Sequence, residues 1–195
     1  MVTDPVPRVA RLRKQYEASD AITSLALPNT VSLQRSTADL GEALSGGERS
    51  DVKKTGARLL ELLATFYGVT RPRLEVLGAR PLKVIEGHLS YELFGDYTPA
   101  SETIRVWMRT AVLGKVTSHR GLLNTLLHEF CHHLDVRALQ FPETPHTRGF
   151  FARIDDLYHL ALATPEDRRK PLVWIKHGSK WRIDWRRVRS VGRAV

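Results

Sequence analysis

The sequence predicts an α+β fold: a helix, a three-stranded antiparallel meander, a second helix and a returning helix, then a basic β-hairpin or tail. Three patterns predict it. Apolar residues recur at helical spacing in "DVKKTGARLLELLATFYGV", whereas "ETIRVWMRT" alternates with the period of a strand. The segment around "TLLHEFCHHLD" is again helical in period, and prolines follow it.

Taken in order, residues 1–50 read as weakly organised. "YEASDAITSLAL" has the composition of a short helix, but Pro28, Asn29 and "SGGERSD" break the pattern. From Asp51 the apolar positions Leu59, Leu60, Leu62, Leu63, Phe66 and Tyr67 form one face of a helix that Gly68 closes. Three strand-like stretches follow, "RLEVLGARPL", "LSYELFGDYT" and "ETIRVWMRT". In the third, Ile104, Val106 and Met108 share one side, and Arg105, Trp107 and Arg109 the other. A long helix is expected from about Ser118 to Leu139, interrupted by Pro142 and Pro145. The returning helix is expected from His146 to about Ala163, and the tail "PLVWIKHGSKWRIDWRRVRSVGRAV" reads as a hairpin turning near His177-Gly178. The expected organisation is an N-terminal segment 1–50, a domain 51–165 and a basic extension 166–195.

Composition narrows the class. With 195 residues, 42% apolar and 26% charged, the chain suits one packed domain plus an appendage rather than a disordered or fibrous protein. The single cysteine, Cys131, excludes an intrachain disulfide framework and a cysteine-based zinc ribbon, and favours a reducing compartment. The first twenty residues lack the apolar core of a secretory signal, and no segment reaches the roughly 20 apolar residues that cross a bilayer. The expected location is the cytoplasm. Charge is concentrated at one end: Arg168, Arg169, Lys170, Lys176, Lys180, Arg182, Arg186, Arg187, Arg189 and Arg193 face only Asp184, which accounts for the whole net charge of +9. Such asymmetry is the footprint of a polyanion partner, most plausibly nucleic acid, or else of a solvated tail. Trp181, Ile183 and Trp185 on one face, with Lys180, Arg182 and Arg186 on the other, suit base stacking and phosphate pairing; packing of the tryptophans on the domain is the alternative.

His128-Glu129-Phe130-Cys131-His132 is the chemical centre of the sequence. Residues four apart on a helix project from nearly the same face, so His128 and His132 can direct two imidazole nitrogens at one ion. Nitrogen donors of this kind match zinc. Glu129 stands beside the first ligand, placed to take a proton from an attacking water without itself binding metal. Leu123, Leu126, Leu127, Phe130 and Leu134 supply a buried face that holds the ligands rigidly. His133 and Cys131 point about 100° away from His132 and read as structural or surface residues. Catalytic zinc takes three protein ligands and keeps one position open. Candidates for the third are His146, Glu143, Asp135, Asp155, Asp156 and His159. Asp135 suits a role orienting a ligand; His146, in the first turn of the returning helix with Phe150 anchoring it, is the expected ligand, with Glu143 and Asp155 behind it.

"TLLHEFCHHLD" followed by "PHTRGFFARIDDL" resembles the SprT-like zinc metalloproteases, which carry a leucine-flanked H-E-x-x-H helix and then a histidine followed four residues later by an aromatic. The resemblance implies a zincin-like core over residues 50–165, with zinc on His128, His132 and His146 and Glu129 as general base. It implies hydrolysis of peptide bonds in proteins, including proteins bound to DNA. Two departures accompany it: Thr147 stands where the family has glycine, with a glycine only at 149, and the cysteine-rich ribbon is absent. On the substrate side, "TIRVWMRT" is expected as an edge strand whose free backbone groups pair with an extended peptide, with Arg105, Trp107 and Arg109 lining the approach. Tyr97 and Tyr158 are conceivable oxyanion stabilisers. The contrasting expectation is a non-enzymatic nucleic-acid-binding module whose metal is structural.

Overall fold

The computed structural model describes residues 1–85 and 88–190. In chain order the elements are α1 (Ala10–Ala21), α2 (Thr30–Gly46), α3 (Arg49–Tyr67), β1 (Arg73–Ala79), β2 (Leu82–Ile85), β3 (His88–Glu92), β4 (Gly95–Thr98), β5 (Thr103–Arg109), α4 (His119–Arg137), α5 (Arg148–Ala161), β6 (Trp174–His177), β7 (Lys180–Ile183) and α6 (Trp185–Ser190). The class is mixed α+β. The chain divides into two compact units, Pro28–Gln140 and a second that joins Met1–Leu27 to Phe141–Val195.

In the unit Pro28–Gln140, residues expected to be weakly organised form α2. Asn29 caps it by accepting from the Ser32 amide at 3.2 Å, and Gly47, at φ 78°, ends it in the left-handed region. Its serines, threonines and glycines are poor helix formers, each costing up to about 1 kcal/mol against alanine. Leu33, Leu40 and Leu44, all at 3% exposure or less, offset this, since a buried leucine contributes about 1.5–3 kcal/mol. α3 runs as expected and stops at Gly68, whose φ of 65° only glycine adopts without strain. It packs on β1 where Gly56 permits close approach: a Cβ there would stand 2.8 Å from Leu74 Cδ2.

The strands do not form a meander. β5 is central in a sheet ordered β1-β5-β4, with β1 parallel and β4 antiparallel to it, while β2 and β3 form a separate antiparallel pair. The first expected strand is two, β1 and β2, broken at Arg80 and Pro81 because proline lacks the amide a ladder needs. The alternation of β5 is as read for Ile104, Val106 and Arg105. Trp107 is an exception at 8% exposure; the Arg105 guanidinium lies 5.9 Å from its ring centroid. α4 packs against β4, β5 and α2. Ser118 caps it by accepting from the Gly121 amide at 3.1 Å.

In the other unit α1 is polar, burying only Tyr16 and Ser19, and what fixes it is α5. Arg153, 1% exposed, donates to the carbonyls of Ser19 and Ile22 at 3.0 and 2.7 Å, satisfying the acceptors that the end of α1 leaves open. The Asp20 carboxylate in turn accepts from the Arg148 amide and guanidinium. The hairpin β6-β7 turns through Gly178 at φ 60°, as expected. Trp185 does not continue β7. Asp184 accepts from the amides of Arg186 and Arg187 at 3.1 and 3.2 Å and so caps α6, which leaves Trp185 44% exposed.

Candidate metal centre

In α4 the stripe of Leu123, Leu126, Leu127, Phe130 and Leu134 is wholly buried, and from Glu129 to Asp135 every residue is buried. That burial removes freedom from the polar residues between. His128 Nε2 and His132 Nε2 stand 3.2 Å apart, with their rings edge to face. Two nitrogens each bound at 2.0–2.1 Å on a tetrahedral ion lie about 3.3 Å apart, so the pair already has the separation of two zinc ligands. His128, His132 and His146 form a group that can hold a metal ion: their ligand atoms all lie within 4.8 Å of one another.

His146 does not stand in the first turn of α5. Thr147 is the cap, its Oγ1 accepting from the Phe150 amide at 3.0 Å, so the helix begins at Arg148 and His146 precedes it in extended chain. This explains the threonine where the resembled family has glycine: Thr147 is fully buried and its hydroxyl also meets Ser19 Oγ at 3.2 Å. Phe150, as expected, is fully buried. It meets the His146 ring edge on, while Phe151 stacks against it at 5.8 Å.

Glu129, 6% exposed, is the acid beside this group. Burial, together with the charge of Asp96, pushes its carboxyl up to about 8. Gly95 brings β4 against it: a Cβ there would meet Thr125 Cγ2 at 2.5 Å and Glu129 Cγ at 3.1 Å. The edge strand beside the motif helix is thus β4. β5 is hydrogen-bonded on both sides, so its backbone is not free to pair with a peptide. Its side chains are engaged as well, Arg105 by Asp96 at 2.6 Å and Arg109 by the Gly114 carbonyl at 3.1 Å.

The remaining candidates have other work. His133 is fully buried; its Nε2 donates to the Thr70 carbonyl at 2.8 Å. Burial lowers its pKa, and with Nε2 donating to Thr70, Nδ1 accepts from Tyr97 Oη at 2.9 Å. That bond commits Tyr97 to the scaffold rather than to an oxyanion. Asp155 and Asp156 pair with Arg169, and His159 Nε2 lies 3.4 Å from Asp155. Glu143 and Asp135 are not in the metal-binding group, and Asp135 is fully buried. Asp4, which neither motif nor spacing singles out, meets both the amide and the ring of His146 with its carboxylate.

Lys176, Lys180 and Arg182 on the basic hairpin are exposed, as are Arg186 and Arg187 on α6 and Arg168 before the hairpin. Arg193 and the side chain of Arg189 lie outside the described residues. Trp181 is covered by the Arg148 guanidinium 4.7 Å from its centroid, and Trp174 packs on Phe151, so both tryptophans belong to the packing of this unit. No helix is long and apolar enough to cross a membrane. Comparison with family models, with curated proteins and with solved structures finds no match to this chain.

Proposed function

We propose that this chain is a zinc-dependent endopeptidase of the SprT-like type, with a zincin-like core. The observation that carries the reading is the composition of the metal-binding group: three histidines and, among the described residues, no fourth protein donor. A structural zinc is closed by four protein ligands, whereas a catalytic one keeps a position for water or substrate. The donor set fits zinc by chemistry and by the 3.2 Å spacing of the His128 and His132 nitrogens. A bound zinc would lower the pKa of water toward about 7 and polarise the scissile carbonyl.

Glu129 supplies the proton transfers. Its carboxylate takes the proton from the attacking water and passes it to the leaving amine, so no covalent intermediate on the protein is needed. The free edge of β4 offers backbone groups to an extended peptide, which gives affinity with little sequence preference. The exposed cations of the hairpin favour substrates associated with nucleic acid. They also support the contrasting reading, a nucleic-acid-binding module with a structural metal.

Glu129→Gln separates the two. Its expected result is loss of peptide hydrolysis with zinc retained near one equivalent per chain, measured by elemental analysis beside a fluorogenic peptide assay. Hydrolysis at the wild-type rate in that variant would refute the role of Glu129.

A further inference from the structure

Asp4 and His146, 142 positions apart in the chain, meet at three points. The Asp4 amide donates to the His146 carbonyl at 2.8 Å. The His146 amide donates to Asp4 Oδ2 at 2.9 Å, and the same oxygen stands 3.4 Å from His146 Nδ1. Phe150 and Phe151 flank the ring. Aromatic neighbours fix the plane of an imidazole but not which nitrogen carries the proton; a carboxylate at Nδ1 fixes that too.

Residues 1–3 hold Asp4 in place. Val2 pairs with Arg182, the Thr3 amide donates to the Trp181 carbonyl at 2.8 Å, and the Trp181 amide donates to Thr3 Oγ1 at 2.9 Å. The Ile183 amide adds a bond to the Met1 carbonyl at 3.3 Å. Residues 1–3 are thereby held against β7 through an isolated bridge and its flanking bonds, with Tyr16 Oη donating to the Asp4 carbonyl at 3.2 Å.

The geometry points to Asp4 as the positioning residue of His146: its carboxylate holds Nδ1–H and so presents the Nε2 lone pair to the metal. The inference rests on the metal-centre reading above. Paired in this way, the ring keeps the ligating tautomer and becomes a more basic donor. The N-terminal residues are then a working part of the centre, carried there by the basic hairpin.

Zinc affinity, measured by chelator competition near neutral pH, tests this without recourse to activity. The variants are Asp4→Asn, Asp4→Ala, His146→Ala and the double variant Asp4→Asn/His146→Ala, each checked by circular dichroism in the metal-free state. Either Asp4 variant is expected to weaken zinc about 10–100-fold, the usual consequence of removing a carboxylate behind a ligating histidine. His146→Ala should weaken it more. Asp4→Asn should then cost no more than about twofold on top of His146→Ala, because the carboxylate acts only through that ring. Should Asp4→Ala fail to fold, Asp4→Asn, which keeps the shape and an acceptor for the His146 amide, carries the comparison. Wild-type affinity in the Asp4 variants, beside a weakened His146→Ala, would overturn the role of Asp4 and leave the centre standing. An equal loss with and without His146 would make Asp4 a purely architectural residue and overturn it as well. Undiminished zinc binding in His146→Ala would remove the centre itself, and this inference with it.

Discussion

Glu129 shows how much of the site is chemistry that spacing can carry and how much is not. Its place beside His128 follows from the H-E-x-x-H pattern; its burial, and the carboxyl pKa of about 8 that results, depend on β4 and Asp96 closing over it. A pH dependence follows for the metal-free protein. The unfolded chain releases this proton near 4.5, while the folded one holds it to about 8. Between those values the unfolded state binds fewer protons, so stability falls as pH rises, by an amount on the order of a few kcal/mol, and is fully present only below the lower value. Urea unfolding in chelator across that window is expected to show the fall in wild type and a flatter profile in Glu129→Gln. Parallel profiles would mean that the carboxyl is not held neutral by its surroundings. Asp4 sits at the opposite end of legibility: nothing local distinguishes it, because its significance lies in a contact that spans 142 positions.

The elements legible in the sequence were those that determine themselves. α3, α4 and the β6-β7 hairpin carry their own periodicity, caps and turn residues, and each formed where its pattern placed it. α1 and α2 were illegible for opposite reasons. α2 has a leucine stripe hidden among poor helix formers, and α1 has almost no apolar face and depends on the groups that receive its last carbonyls. The parallel pairing of β1 with β5 was illegible because register across a long connection leaves no local trace. The contact of α1 with α5 is tight enough to test through one glycine. A Cβ at Gly149 would collide with the carbonyl oxygens of Ser19, Asp20 and Ile22, all backbone and none able to swing aside. Gly149→Ala should therefore cost about 3 kcal/mol, at the upper end for overpacking, and weaken zinc binding by displacing the lead-in to α5. A melting temperature equal to wild type would show that α1 yields easily and that Arg153 alone holds the pair together.

For the molecule as a whole, the charge asymmetry read from composition falls on exposed side chains, those of Arg168, Lys176, Lys180, Arg182, Arg186 and Arg187. Lys176, Lys180 and Arg182 stand on the β6-β7 hairpin and Arg186 and Arg187 on α6, and β7 also pairs with residues 1–3, the segment that delivers Asp4 to His146. Cutting the chain after Thr164 would remove these exposed cations and the support of Asp4 beside His146 together, so loss of function on truncation would not distinguish them. Surface substitutions do. Lys176, Lys180, Arg182 and Arg186 are exposed, and replacing all four with glutamine leaves the backbone pairing of β6, β7 and the N-terminal residues untouched. If these side chains neutralise phosphates, the logarithmic dependence of duplex DNA affinity on salt should become shallower by about 0.9 for each phosphate left without its cation, up to about 3.6 for four. Zinc affinity and peptide hydrolysis on a substrate free of DNA should be unchanged, because none of the four belongs to the metal-binding group. An unaltered salt slope would return the hairpin to a purely architectural role, holding the start of the chain against His146. A slope that drops together with zinc affinity would instead show that charge on this face and geometry at the metal are coupled through β7, which is the one strand common to both.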